Sequence, residues 1–182
     1  MKAFLNSKRG YGVLSIALHW LTALTAVGLF VLGTWMVDLD YYSQWYKTGP
    51  DVHRSIGVLL VMVVLLRLAL RFFNPPPAAL PAARPWENRA ASVMHWLLLV
   101  LLLVIAVAGY LISTADGRAV SVFNWFEVPA TITSFENQED WFGEVHFYLA
   151  VTLMCLAGVH AAAALKHHFI DRDDTLRRMF GN

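Results

Sequence analysis

The chain has 182 residues, of which 58% are hydrophobic and 15% are charged, and its formal net charge at pH 7 is +1. A soluble domain could not bury that much apolar surface, so the composition excludes a soluble globular protein and indicates that lipid surrounds most of the chain. The net charge alone says little, because what matters is where the charges lie, and we expect no nucleic-acid partner.

Four apolar stretches are each long enough to cross the hydrocarbon core of a bilayer, which is about 30 Å thick. Each should be helical, because an isolated span in lipid can satisfy its backbone hydrogen bonds in no other way. In chain order, the predicted spans are residues 13–37, 52–73, 90–113 and 141–167. They predict an all-α, integral membrane four-helix bundle that forms a single domain over residues 1–182.

Three connections join these spans. Residues 38–51 are rich in the tyrosine and tryptophan side chains that suit a membrane interface. Residues 74–88 are rich in proline, which predicts a stiff, extended strap. Residues 114–140 form the longest connection, and we expect it to fold back over one face of the bundle.

Basic residues are distributed unequally between the two sides of the predicted bundle. Eleven of the 14 lysines and arginines fall on the side of both termini, so both termini should be cytoplasmic in a bacterial-type inner membrane. The three cations on the outer side are Lys47, Arg54 and Arg118. The outer side also carries nine acidic residues: Asp38, Asp40, Asp51, Asp116, Glu127, Glu136, Glu139, Asp140 and Glu144.

Five of the seven histidines fall within the predicted spans and away from the pair of adjacent histidines at the end of the fourth. An ionisable side chain is costly within a span and indicates function. His146 and His160 are fourteen residues apart in the fourth span. On a helix this spacing leaves two side chains about 40° apart around the axis and about 21 Å apart along it. Counted from the span ends, His53 lies at the depth of His146, and His19 lies at the depth of His160.

Two layers of paired imidazoles suit two haem irons held between the helices of a bundle. We therefore predict two haem b groups, with His53 and His146 as ligands of the outer iron and His19 and His160 as ligands of the inner iron. His95 also lies at the inner depth and is the alternative to His19. Gly57 and Gly158, near these positions, would let a flat macrocycle approach the backbone.

Other uses of these histidines fit the pattern less well. Zinc needs ligands that converge on one point, whereas these histidines separate into two layers. A proton relay or a transporter would be expected to carry acidic residues in mid-span or broken helices, and the four spans have neither. A haem-free bundle that transports or scaffolds would be colourless, so an absorption spectrum distinguishes it.

The fourth span reads HFYLAVTLMCLAGVH from His146 to His160, and two more histidines, His167 and His168, follow at its end. Together with the LeuHisTrp sequence at residues 18–20 and the early histidine of the second span, this resembles the bacterial cytochrome b561 family. More closely, it resembles the small four-helix inner-membrane dihaem proteins described as superoxide:ubiquinone oxidoreductases. The resemblance extends from Tyr11 to about Met179.

The resemblance implies an enzyme that oxidises periplasmic superoxide to dioxygen at the outer haem and reduces ubiquinone near the inner one. It places His95 and His167 close to the quinone, although a hydrogen bond to a neighbouring helix explains His95 equally well. Arg54, next to a predicted ligand, would steer the superoxide anion or bind a haem propionate. A second reading is a cytochrome b subunit that relays electrons to quinone from a partner dehydrogenase or hydrogenase.

Overall fold

The computed structural model describes residues 3–8, 10–80, 84–133 and 136–181. Its main elements are four long helices: α1 (Val13–Met36), α2 (Thr48–Phe73), α3 (Pro85–Ser113) and α4 (Gln138–Lys166). All four are long and apolar enough to cross a membrane, which confirms the prediction of four spans. Two of the basic residues counted for the membrane orientation, Lys2 and Arg9, lie outside the described residues. So does Pro81 of the proline-rich connection.

Three of the four helices begin before the apolar stretches that predicted them. The starts of α2, α3 and α4 lie about one turn earlier than predicted, in sequence that is more polar. Pro85 occupies the first turn of α3, where its missing N–H costs nothing, and the Glu87 carboxylate accepts a hydrogen bond from the Arg84 N–H at 3.2 Å. At its other end, α4 passes directly into a π-helical turn, α5 (His167–Asp171), and a short 3-10 turn follows at Arg177–Met179.

A small β-hairpin interrupts the all-α pattern in the third connection. Strands β1 (Val120–Val122) and β2 (Phe126–Val128) pair antiparallel. Val122 is fully buried, and the hydroxyl of Ser55 on α2 accepts a hydrogen bond from the Phe123 N–H at 3.1 Å. The hairpin therefore packs on the first turns of α2, in agreement with the expectation that this connection folds back on the bundle, although no strand was predicted.

The first and the last described segments of the chain lie at one end of the bundle, which we call the termini end. The Asn6 N–H donates to the side-chain oxygen of Asn74 at the end of α2, at 2.9 Å. The indole N–H of Trp20, in α1, donates to the Met179 carbonyl, also at 2.9 Å. The opposite end of the bundle carries the β-hairpin, and we call it the hairpin end.

Helix α3 is the central element of the packing. It contributes to two apolar clusters, one with α1 and α2 and one with α4. The first contains Leu60, Val64 and Leu99, and the second contains Leu101, Ile105 and Leu153. Among the described residues, α4 packs extensively on α3 but not on α1 or α2. Histidine side chains instead join α4 to its other neighbours, His160 with His19 of α1 and His146 with His53 of α2.

Candidate functional site

At the hairpin end, His53 of α2 faces His146 of α4. The centroids of the two imidazole rings are 6.1 Å apart, and the ring planes are inclined at 68°. Both side chains are partly buried. The two residues are far apart in sequence, so their approach confirms that counting depth from the span ends identified neighbours at this end.

The orientation of His146 is set by α3. Its Nδ1 lies 2.9 Å from the Ile105 carbonyl oxygen, and because a carbonyl only accepts, Nδ1 carries the proton. The Nε2 lone pair is then free to bind a metal, which is the usual arrangement of a metal-binding histidine. The imidazole fits against α3 because Gly109 has no side chain: a Cβ there would lie 3.0 Å from its Cε1.

A second glycine performs the same role for His53. A Cβ on Gly33 of α1 would lie 3.1 Å from the Cε1 of His53. The Nδ1 of His53 is buried and has no hydrogen-bond partner among the described residues. A buried polar atom of this kind indicates that something further completes the site.

At the termini end, three histidines converge. The ring centroids of His19 (α1) and His160 (α4) are 6.3 Å apart, whereas His95 (α3) lies closer to His160, at 5.2 Å. An arginine of α2 joins the cluster: the Nη2 of Arg67 is 3.4 Å from the Nδ1 of His19. Both candidates for the inner ligand are therefore next to His160, at different separations.

These separations can be compared with what a haem iron requires. Two imidazoles that bind one iron from opposite sides, with metal–nitrogen bonds of about 2 Å, have ring centroids roughly 6 Å apart. The pairs at 6.1 and 6.3 Å fit that value, and the pair at 5.2 Å is too close. By their ring separations, the residues present therefore fit an iron with two imidazole ligands at each level.

The predicted roles of the two open glycines are supported unequally. A Cβ on Gly57 would meet nothing within 4 Å, and Gly57 is one turn from His53 on the same face of α2. Gly158 is also open, but it is two residues from His160 and therefore on the other side of α4. The open space at Gly158 does not adjoin the histidine cluster.

His167 lies apart from the histidine cluster, in a group of charged side chains at the termini end. Its Nδ1 lies 3.0 Å from carboxylate oxygens of both Asp171 and Asp173. Burial raises the pKa of the Asp173 carboxyl, but hydrogen bonds from Thr175 and His167 outweigh this and leave the pKa below its usual value. The adjacent ammonium of Lys166 forms an ion pair with Asp171 at 2.6 Å. The lysine therefore balances negative charge of the aspartates in this group.

The cations at the hairpin end are largely compensated. Arg54 forms an ion pair with Asp51, and Arg118 forms one with Asp116. The second pair lowers the pKa of the Asp116 carboxyl and raises that of the Arg118 guanidinium. Neither guanidinium is an isolated positive charge that faces the His53–His146 pair.

Comparisons with known proteins agree with this geometry. A family model described as prokaryotic cytochrome b561 matches residues 10–182. The chain belongs to the prokaryotic cytochrome b561 family. It is a multi-pass membrane cytochrome that carries electrons, and membership of the family implies haem b as its cofactor.

Individual relatives cover nearly the whole chain. Cytochrome b561 homolog 2 of Escherichia coli is 49% identical over 179 residues, which are 98% of this chain and 95% of the relative. A probable superoxide oxidase, CybB, of Yersinia pestis is 28% identical over 174 residues, 93% of this chain and 94% of the relative. Cytochrome b561 homolog 1 of E. coli is 27% identical over 164 residues, 90% and 93% of the respective chains.

We expect the substitution Gly109→Ala to reduce haem binding at the hairpin end. The new methyl group would lie 3.0 Å from the His146 ring and displace it from the Ile105 carbonyl. Loss of a partner that orients a metal ligand typically lowers metal affinity about 10- to 100-fold. The ratio of haem to protein after purification, and its decline during dilution, measure the effect.

Gly28→Ala is the matched control, because a Cβ at Gly28 would meet nothing within 4 Å. Gly28 also lies on a different side of α1 from His19 and from Gly33, which contacts His53. Equal haem retention in the two variants would contradict the role assigned to Gly109.

Several contacts in the site were not predicted from sequence. Arg67 was counted only toward membrane orientation, although its position six residues before the end of α2 is a signal for function. Gly33 and Gly109 act on histidines of neighbouring helices, and no sequence pattern links these residues. The aspartates that contact His167 follow it at short range: Asp171 is four residues later, a spacing that places two side chains together on a helix, and Asp173 lies just beyond the π-helical turn.

Proposed function

We propose that the chain holds two haem b groups, one between His53 and His146 and one between His19 and His160. The observation that supports this most is the pair of ring-centroid separations, 6.1 and 6.3 Å, at two levels of the bundle. When bound, haem supplies one-electron transfer, while the protein determines the ligands, the spacing and the polarity. The proposed direction of transfer is from the hairpin end to the termini end.

The proposed orientation puts the termini end in the cytoplasm. The excess of lysine and arginine at that end supports it, because cytoplasmic segments of membrane proteins are enriched in these residues. The hairpin end, with its nine acidic residues, then faces the periplasm.

We propose superoxide as the electron donor and ubiquinone as the acceptor. Similarity to the probable superoxide oxidase of Y. pestis along 94% of its length supports the donor. For the acceptor, His95 and His167 in the termini half offer imidazole N–H groups that can bind a quinone carbonyl and deliver the protons that its reduction consumes. Asp171 and Asp173 hold the His167 ring in place at the cytoplasmic surface.

A relay subunit is the second candidate, and the charge of the hairpin end favours it. An anionic substrate is drawn by a positive entrance, but Arg54 and Arg118 are each paired with an aspartate. In this case a partner dehydrogenase or hydrogenase delivers the electrons, and the acidic surface faces the partner.

Stopped-flow mixing of the purified protein with superoxide tests the enzymatic proposal. We expect the haem absorption to change to the reduced form faster than superoxide dismutates spontaneously, and ubiquinone to reverse the change. Superoxide dismutase in a parallel run is the control and should abolish the reduction. If superoxide leaves the haem oxidised while dithionite reduces it, the enzymatic proposal is wrong and the relay function stands.

A further inference from the structure

Arg67 is a cation placed deep in an apolar helix. It lies six residues before the end of α2, and its side chain points to the histidine cluster, where its Nη2 is 3.4 Å from the Nδ1 of His19. A charged side chain within a membrane span is expensive and is retained where it has a function.

Among the described residues, no carboxylate forms an ion pair with Arg67 or with Arg71, one turn later on the same helix. The Arg71 guanidinium lies over the Trp96 ring, 4.6 Å from its centroid. By contrast, Arg54, which follows His53 directly, is paired with Asp51. Uncompensated positive charge therefore lies beside the His19–His160 pair and not beside the other pair.

The contact with His19 limits how Arg67 can act. A guanidinium only donates, so in this structure the Nδ1 of His19 accepts and its proton is on Nε2. A histidine that binds iron through Nε2 carries its proton on Nδ1, which leaves no acceptor for Arg67 there. When a haem is bound, the guanidinium must act on that site through its charge rather than through this hydrogen bond.

We propose that Arg67, assisted by Arg71, raises the reduction potential of the haem at the termini end and so makes it the better electron acceptor of the two. Reduction adds one negative charge to the site, and a nearby positive charge stabilises the reduced form, strongly so where the dielectric constant is low. The inference rests on the proposed function in that His19 and His160 hold a haem. It supplies a physical reason for electrons to move from the hairpin end to the termini end.

A redox titration of the purified protein, followed by its visible spectrum, tests this proposal. We expect Arg67→Gln to shift the reduction equilibrium of one haem at least tenfold toward the oxidised form, which is 59 mV for a one-electron couple. Arg67→Lys keeps the charge and should restore most of the potential. Arg89→Gln removes an exposed cation of α3 and should change neither potential. The titration is repeated in the His146→Ala background, where the remaining haem should be the one that shifts.

Two results would overturn the inference: both haems bound with unchanged potentials in Arg67→Gln, or a shift confined to the haem that His146→Ala removes. If Arg67→Gln does not retain haem, Arg71→Gln replaces it and should shift the same haem in the same direction by a smaller amount. No shift in Arg71→Gln would then count against the proposal. A wild-type protein that binds fewer than two haems is a different outcome, since it contradicts the proposed function itself.

Discussion

The substitution His146→Ala should leave a protein that binds one haem instead of two. The alanine removes one of the two imidazoles at the hairpin end, and no other described histidine is near enough to His53 to replace it. The His19–His160 pair is about 21 Å away along α4 and shares no ligand with this pair. Pyridine haemochrome analysis against protein concentration should therefore give half of the wild-type haem content.

His160→Ala is the reciprocal variant, and His168→Ala is the matched control. His160→Ala should lose the other haem, so that the reduced spectra of the two variants add up to that of the wild type. His168 lies in the π-helical turn after α4, outside both pairs, and its removal should preserve both haems. Loss of the same spectral component in His146→Ala and His160→Ala would show that the two histidines do not belong to separate sites.

The pairing of histidines by depth was accessible to sequence reasoning for a definite physical reason. Each span is one continuous helix, so depth in the membrane increases linearly with residue number at 1.5 Å per residue. Consecutive spans of one chain cross the membrane in opposite directions, which fixes the direction in which to count. These two regularities are sufficient to predict that His53 lies near His146 and that His19 lies near His160, as the structure has them.

What depth cannot supply is the rotation and lateral position of each helix. His95 and His19 have equal depth, and only the packing of α3 against α4 brings His95 to within 5.2 Å of His160. The glycines that contact the imidazoles, Gly33 and Gly109, also depend on which helix faces come together. Gly158 illustrates the limit, because it was chosen for its proximity to His160 in sequence. Residues two positions apart on a helix lie on nearly opposite sides of it.

The third connection shows a different limit. We expected it only to fold back over one face of the bundle, because the strands of the hairpin are three residues each, too short for an alternating pattern to be evident. The strands are stabilised by the burial of Val120 and Val122. The Ser55 hydroxyl also donates a hydrogen bond to the Ser121 carbonyl, and these two residues are 66 positions apart in sequence. Contacts at that separation are tertiary and leave no local trace.

The choice between His19 and His95 has the largest consequence for function after the ligands at the hairpin end. We expect His19→Ala to abolish haem binding at the termini end and His95→Ala to preserve both haems while slowing quinone reduction. An iron between two rings keeps their centroids roughly 6 Å apart, which the 6.3 Å of His19 and His160 satisfies. At 5.2 Å, His95 is a neighbour of the ligand and can instead bind a substrate.

The measurement has two independent parts, haem content and the rate of reoxidation by ubiquinone. In His95→Ala we expect two haems, reduction as in the wild type, and a reoxidation rate at least tenfold lower, because the imidazole that donates to the quinone carbonyl is missing. His95→Gln, which keeps a donor, should recover part of the rate. If His95→Ala loses a haem and His19→Ala keeps both, the ligand assignment is reversed. In that case His19, beside Arg67, becomes the polar group available to the quinone, and the acceptor site moves from the α3–α4 side of the bundle to the α1–α2 side.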